Sequence, residues 1–304
     1  MSNTNTISRA SALEKGTNKL VYVECPRDAM QGWPHRIATS TKIAYLNALL
    51  KVGFPVLDFG SFVSPKAIPQ LSDTAEVLAG LDLGSSKDNN PTKLLAIIAN
   101  LRGAEAACSF KEITYLGFPF SISETFQLRN TNSTREESFN RVREIQELCL
   151  KNGKQLVIYL SMGFGNPYGD PYSAELLAEW AEKIAGLGIK IISLADTVGL
   201  ANAEQITSAL THLIPQYPSI EFGVHLHSTP EKSKEKIAAA LKGGCLRFDG
   251  AIKGIGGCPM AGNALVGNMD TELLLGYLKE HGLHLSINEA ALNTASNMAM
   301  EVFI

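Results

Sequence analysis

Eight short apolar runs that alternate with amphipathic segments predict a (β/α)8 barrel, the TIM-barrel fold class, with extra helices at the C-terminus. The length of 304 residues accommodates eight such units. A doubly wound sheet is the alternative, but no G-x-G-x-x-G segment follows the first predicted strand. Residues 19–304 contain no evident linker and are interpreted as one domain. The Ser/Asn/Thr-rich residues 1–18 lack the apolar core of a secretory signal and are expected to form a disordered lead.

The strands are predicted from short runs rich in β-branched and other apolar residues. In chain order they span residues 20–25, 55–60, 94–98, 113–118, 155–160, 190–194, 220–227 and 246–251.

The helices are predicted from apolar residues at helical spacing, such as Ile43 and Leu46, which precede a stop signal at Gly53. Thr134 and Glu137 resemble a capping box that opens a long helix. The predicted helices span residues 40–52, 68–80, 101–108, 134–151, 172–186, 202–213, 230–242, 270–281 and 287–300.

Composition narrows the class of protein. The chain is 45% hydrophobic and 19% charged, with a formal net charge of −3 and no basic run, which argues against nucleic acid or an anionic membrane as the main partner. No apolar stretch is long enough to span a membrane. Five cysteines without a Cys-x-x-Cys pair indicate reduced thiols and a cytoplasmic location.

His225 and His227 are the most informative pair of residues. They end the seventh predicted strand, and residues i and i+2 of a strand point to the same face. Two neutral imidazoles that project together can bind a metal ion. The alternative is a pair of polar residues at the mouth of a strand, without a ligand.

Other polar residues follow the ends of the predicted strands, where (β/α)8 barrels carry their active sites. Arg27 and Asp28 follow the first strand. They either form a surface ion pair that contributes little to stability or have separate roles in a functional site. In the second interpretation Asp28 contacts a cation and Arg27 a substrate oxygen. Asp196 and Thr197, after the sixth strand, are interpreted as residues that hold their loop by hydrogen bonds.

A glycine-rich segment, residues 254–259, follows the eighth strand and contains Cys258. Glycine permits tight backbone paths, so the segment can be a simple turn. It can equally be a lid that carries the Cys258 thiol over the site as an acid or base.

Together these residues resemble the 3-hydroxy-3-methylglutaryl-CoA lyase family, within the wider group of metal-dependent (β/α)8 lyases, aldolases and Claisen-type synthases. The resemblance covers nearly the whole chain after about residue 19. The matching motifs are Pro-Arg-Asp-x-x-Gln (26–31), Ser-Phe-Val-Ser-Pro-Lys (61–66), Ser-x-x-Asp-Thr-x-Gly (193–199), His-x-His (225–227) and Gly-x-Gly-Gly-Cys-Pro (254–259).

The resemblance implies a divalent cation, Mg²⁺ or Mn²⁺, although the ligand types do not exclude zinc. It also implies reverse Claisen cleavage of 3-hydroxy-3-methylglutaryl-CoA to acetyl-CoA and acetoacetate. Arg27 would stabilise the thioester enolate, Cys258 would assist proton transfer, and either Asp28 or His225 would be the base. The implied metal ligands are Asp28, His225, His227 and Asn268, and the implied substrate contacts are Gln31, Asp58 and Ser61.

The chain departs from the family pattern around the substrate. Asp58 stands where these lyases usually carry the longer Glu, Ser228 replaces an acidic residue, and the loop before Asn268 looks one residue longer. A different 3-hydroxyacyl-CoA is therefore an alternative substrate. A related aldolase or Claisen synthase, and a non-catalytic binding barrel, are the alternative functions. The sequence does not determine the oligomeric state, and a homodimer is the assembly we expect.

Overall fold

The structure, a computed structural model, describes residues 20–84, 92–257 and 266–304. Eight parallel strands form a closed barrel in chain order, and the first strand pairs with the eighth. The strands are β1 (Val21–Glu24), β2 (Val56–Ser61), β3 (Lys93–Ile97), β4 (Ile113–Ser121), β5 (Gln155–Ser161), β6 (Ile191–Asp196), β7 (Glu221–Leu226) and β8 (Arg247–Gly250). The predicted (β/α)8 barrel is confirmed.

Helices surround the barrel and follow its strands. They are α1 (Pro26–Gln31), α2 (Thr39–Val52), α3 (Thr74–Ala79), α4 (Leu101–Cys108), α5 (Glu124–Thr131), α6 (Arg135–Lys151), α7 (Ala174–Gly186), α8 (Ala203–Gln216), α9 (Pro230–Lys242), α10 (Thr271–Glu280) and α11 (Glu289–Val302). Short 3₁₀ turns span Pro69–Leu71 and Ile252–Gly254. The capping box of Thr134 and Glu137 at the start of α6 is present, as predicted.

Two helices, α1 and α5, were not predicted. Each has at most eight residues, which is too short for an apolar periodicity to show. Helix α1 begins at Pro26, whose fixed φ and missing N–H suit the first helical position. Ser123 begins α5, where its hydroxyl accepts a hydrogen bond from the Phe126 N–H. The helix predicted over 68–80 is instead a 3₁₀ turn followed by α3.

The core has two layers. The inner layer fills the barrel with side chains such as Val23, Cys25, Tyr115 and Tyr159, and the outer layer lies between strands and helices. Because all strands are parallel, their C-terminal ends meet at one mouth of the barrel. Residues that follow different strands are therefore brought together there.

The C-terminal helices were correctly predicted, and α11 packs on α2. The Asn288 N–H donates to the Val52 carbonyl oxygen over 2.9 Å. The Phe303 ring contacts Trp33 and Tyr45 edge-on. No helix within the three described ranges is both long and apolar enough to cross a membrane. The lead predicted over residues 1–18 lies outside the described residues, and the single-domain interpretation stays a prediction.

Candidate metal centre at the barrel mouth

The two histidines and Asp28 meet at the mouth of the barrel. His225 lies in β7, His227 follows its last residue, and Asp28 lies in α1 directly after β1. The two imidazole centroids are 5.1 Å apart, and all three residues are buried. One ligand atom from each of Asp28, His225 and His227 lies within 4.8 Å of the other two. This spacing allows a single cation to contact all three.

The histidine rings are oriented by partners at Nδ1. The Nδ1 atom of His225 lies 3.1 Å from Oδ2 of Asp249, and that of His227 lies 3.2 Å from the Gly267 carbonyl oxygen. With a proton on each Nδ1, as these acceptors favour, Nε2 is left free to bind a metal. Asp249 was not singled out from the sequence. The available signal was a carboxylate within the apolar run of the eighth strand.

Asn268 reaches the same site from the segment after β8. Its amide nitrogen donates to Oδ2 of Asp28 and to the Ile255 carbonyl oxygen, each over 2.9 Å. Asn268 also pairs with His227 as an isolated antiparallel bridge. With the amide nitrogen committed, the Oδ1 atom of Asn268 is the side-chain atom available to a cation. Asn268 therefore lies at the same site as Asp28 and His227.

Arg27 is held beside the centre by an extended hydrogen-bond network. Its Nε and Nη2 atoms donate to Oδ2 of Asp58 over 2.9 and 2.6 Å. Its Nη1 atom donates to Asp28 and to Gln31, each over 2.8 Å. The side chains of Arg27 and Asp28 are only 8% and 7% exposed, so the surface ion-pair interpretation is wrong. Despite its shorter side chain, Asp58 contacts the guanidinium directly.

Ser61 lies at the end of β2, and its hydrogen bonds are to the first residue of α3 and to Val63. Its N–H donates to the Thr74 hydroxyl and its own hydroxyl accepts from the Val63 N–H. Of the three predicted substrate contacts, Gln31 and Asp58 join the Arg27 network directly, whereas Ser61 is bonded to Thr74 and Val63. Cys258, the predicted lid cysteine, lies outside the described residues.

Burial and neighbouring charges set the protonation of the ligands. Burial opposes ionisation of Asp28, but the charges of Arg27 and the two histidines lower its pKa to about 2. Burial, with the charge of His225, lowers the pKa of His227 to about 4. At neutral pH Asp28 is therefore anionic and His227 neutral, which are the forms that bind metal.

His225 and Asp58 shift in the other direction. Burial lowers the pKa of His225, but the hydrogen bond and the charge of Asp249 outweigh it, so the net shift is upward. Burial raises the pKa of Asp58 to about 6, against the opposing charge of Arg27. Asp249 thus makes the His225 imidazole more basic, as carboxylates behind metal-binding histidines do.

The donor set fits a divalent cation. A carboxylate, two imidazoles and an amide oxygen suit a hard or borderline six-coordinate ion that keeps positions open for substrate oxygens. The four residues predicted as ligands, Asp28, His225, His227 and Asn268, lie together here, and their role as metal ligands stays a prediction.

Asp196 and Thr197 hold their loop, as expected. Asp196 accepts from the Ala201 N–H and from the buried Lys236 ammonium, and the Thr197 hydroxyl accepts from the Met162 N–H. Lys236 also donates to the His227 carbonyl oxygen over 2.7 Å, so it helps to fix the backbone of this candidate ligand. Sequence reasoning missed Lys236, whose signal was a charge next to the apolar Ile237.

Comparison with known proteins by sequence identifies one family. The family model described as HMGL-like matches residues 21–299. Hydroxymethylglutaryl-CoA lyase of Bacillus subtilis is 32% identical over 276 residues, covering 91% of this chain and 90% of that protein. The human mitochondrial hydroxymethylglutaryl-CoA lyase is 33% identical over 274 residues, covering 90% of this chain and 82% of that protein.

Solved structures give the same result. An HMG-CoA lyase from Acinetobacter baumannii, in complex with coenzyme A and 3-methylmalate, superposes with a TM-score of 0.84 at 33% identity. That comparison covers 94% of this chain and 92% of the other. The Bacillus subtilis HMG-CoA lyase structure gives a TM-score of 0.85 at 30% identity and covers 94% of both chains.

Proposed function

This chain belongs to the HMGL-like family, and on that premise we propose that it is a carbon–carbon lyase that cleaves 3-hydroxy-3-methylglutaryl-CoA to acetyl-CoA and acetoacetate. The observation that carries the proposal is the convergence of Asp28, His225 and His227 within 4.8 Å, beside the buried Arg27. The close similarity to lyases from bacteria and mammals along most of the chain supports the same reaction.

Asp28, His225, His227 and Asn268 would hold the divalent cation, which we propose is Mg²⁺ or Mn²⁺. A cation bound there supplies Lewis acidity toward the tertiary hydroxyl and the distal carboxylate of the substrate. The anionic Asp28 and the neutral His227 are ready to bind it without losing a proton at neutral pH. The oxygen and imidazole donors favour these ions over those that prefer thiolates.

Arg27 would stabilise the enolate of acetyl-CoA as the carbon–carbon bond breaks. Its guanidinium is fixed before substrate arrives, because Asp58, Asp28 and Gln31 accept its hydrogen bonds. A fixed cation that needs no reorganisation is an effective stabiliser of developing negative charge in a site with little water. Asp58 and Gln31 therefore contribute by holding Arg27.

The proton on the tertiary hydroxyl is removed by either Asp28 or His225. Asp28 already accepts hydrogen bonds from Arg27, Gln31 and Asn268, which stabilise its anion and weaken it as a base. His225 has Asp249 at its Nδ1 atom, so its imidazole is the stronger proton acceptor of the two while its Nε2 atom is not bound to the cation. We propose that Cys258 delivers the proton that converts the enolate to acetyl-CoA.

The substrate assignment is tested by measuring acetyl-CoA release from a panel of 3-hydroxyacyl-CoA esters, with and without Mg²⁺ or Mn²⁺. We expect metal-dependent cleavage, with 3-hydroxy-3-methylglutaryl-CoA preferred. Preference for another ester would show that the substrate is a different 3-hydroxyacyl-CoA. The changed residues Asp58 and Ser228 would then account for the difference from the family. Absence of metal-dependent cleavage of every ester would contradict the proposed function. Cys258→Ser should lower turnover far more than metal affinity.

A further inference from the structure

A second group of metal-binding side chains lies on the inner face of the barrel. Cys25, His225 and Asp249 come from or directly follow three neighbouring strands, β1, β7 and β8. One ligand atom from each lies within 4.8 Å of the other two, and all three residues are buried. The arrangement is fixed by the sheet, since the Cys25 N–H donates to the Gly250 carbonyl oxygen over 2.8 Å.

Some of the possible metal-ligating atoms of this group have no strong partner in the protein. Oδ2 of Asp249 contacts His225, but Oδ1 of the same carboxylate is buried and has no hydrogen-bond partner. Buried carboxylate oxygens without a partner are costly and indicate a missing ligand or a special role. The Cys25 thiol makes a weak contact of 3.5 Å with the Val23 carbonyl oxygen, so its sulfur is also available.

The surrounding charges favour a cation. Three carboxylates act electrostatically on the Cys25 thiol, those of Asp249, Asp58 and Asp28, whereas Arg27 opposes them. A buried thiol beside an imidazole and a carboxylate is suited to a divalent ion that prefers sulfur.

We propose that Cys25, His225 and Asp249 form a second metal site, selective for a thiophilic divalent cation such as Zn²⁺. Its thiolate, imidazole and carboxylate donors are typical zinc ligands, whereas Asp28, His227 and Asn268 offer no sulfur. His225 belongs to both donor sets. An ion bound at Cys25 would therefore compete with an ion at the barrel mouth for the His225 imidazole. This inference concerns metal binding and does not depend on the proposed reaction.

The test uses Cd²⁺ as the probe, since a thiolate bound to Cd²⁺ gives an ultraviolet charge-transfer band. The full-length, metal-free protein is titrated with Cd²⁺ as wild type, Cys25→Ser, Cys258→Ser and Cys108→Ser. We expect one equivalent of the thiolate band in the wild type and in the two control variants. Cys25→Ser should lose the band, and Zn²⁺ should displace Cd²⁺ from the wild type.

A second pair of variants tests whether His225 is shared. His227→Ala should lose Mn²⁺ binding and keep the thiolate band, whereas His225→Ala should weaken both. Cadmium NMR of the wild type tests the site without a variant, because the cadmium chemical shift depends on the number of sulfur ligands. We expect a shift typical of one sulfur ligand. A band that persists in Cys25→Ser, a wild type without the band, or a cadmium shift without sulfur would overturn the proposal.

Discussion

Asp28 connects the Arg27 network to Asn268, because its two carboxylate oxygens accept from different partners. Oδ1 accepts from Arg27 and Gln31, and Oδ2 accepts from Asn268. These hydrogen bonds and nearby positive charges keep the carboxylate ionised although it is buried. We propose that the adjacent residues Arg27 and Asp28 have separate roles, in which Arg27 stabilises charge on the substrate and Asp28 binds the cation.

Arg27→Lys should lower kcat by about 100-fold, since a lysine cannot reproduce the planar fork that contacts Asp58, Asp28 and Gln31. Mn²⁺ affinity should change by only a few-fold, because Asp28 remains. Steady-state kinetics and Mn²⁺ titration measure the two quantities, with Arg102→Lys on the exposed face of α4 as the matched control. A kcat equal to that of the control would remove Arg27 from enolate stabilisation.

Asp249→Asn removes the charge behind His225 while preserving the shape of the side chain. The affinity for Mn²⁺ should fall by about 10- to 100-fold, as is usual when a partner behind a metal-binding histidine is changed. If His225 is also the base, kcat at saturating Mn²⁺ falls as well. If Asp28 is the base, kcat recovers once Mn²⁺ is saturating. Unchanged Mn²⁺ affinity would show that Asp249 does not support the centre.

Among the elements, the glycine-rich segment after β8 and helix α1 are packed directly together. A Cβ on Gly256 would lie 2.7 Å from Nδ2 of Asn268 and 2.8 Å from Cα of Ala29, and Gly256 has a φ of +105°. Only glycine suits this conformation and this close approach. The described part of the segment therefore forms one wall of the candidate metal centre.

Gly256→Ala should displace Asn268 and lower Mn²⁺ affinity by about tenfold or more, since the added methyl overlaps the Asn268 amide. Gly276→Ala in α10 is the control, because a Cβ there meets no atom within 4 Å. Isothermal titration with Mn²⁺ measures both variants. Equal affinities in the two would argue against contact between this segment and the centre.

Strand β1 is tied to the start of α10 by a buried carboxylate, Glu24. It accepts hydrogen bonds from the Ile252 N–H over 2.9 Å and from the Thr271 hydroxyl over 2.7 Å. Burial raises the pKa of Glu24 to about 8, although these hydrogen bonds oppose the shift. The folded protein therefore holds a proton on Glu24 that the unfolded chain loses near pH 4.5.

This difference predicts a pH dependence of stability. Between about pH 4.5 and 8 the folded state binds more protons at Glu24 than the unfolded state does. The contribution of Glu24 to the free energy of unfolding therefore falls as pH rises, by up to about 1.4 kcal/mol per pH unit. Glu24→Gln should remove that slope, because an amide does not ionise and still accepts a hydrogen bond. Urea unfolding of both proteins at pH 5.5 and 7.5 measures it. Parallel pH profiles would contradict the raised pKa.

At the scale of the whole molecule, the barrel followed from the alternation of apolar runs and amphipathic segments. The same pattern placed His225 and Asp28 at one mouth, because parallel strands end on the same side. Helix α1 could not be predicted, since its six residues are too few for an apolar periodicity to show. Asp249 and Lys236 were missed because a single sequence does not show which charges a barrel buries.

The cytoplasmic location and the homodimeric assembly remain predictions. Sedimentation of the purified chain measures the assembly directly.

We propose that Asp28, His225, His227 and Asn268 hold the divalent cation on which cleavage of 3-hydroxy-3-methylglutaryl-CoA depends. The most direct test measures acetyl-CoA release by the chelator-treated protein before and after addition of Mn²⁺, for the wild type, Asp28→Asn, His227→Ala and the exposed control His284→Ala. We expect Mn²⁺ to restore cleavage in the wild type and in His284→Ala, and not in the other two. Cleavage that survives chelation, or that Asp28→Asn and His227→Ala retain in full, would contradict the claim.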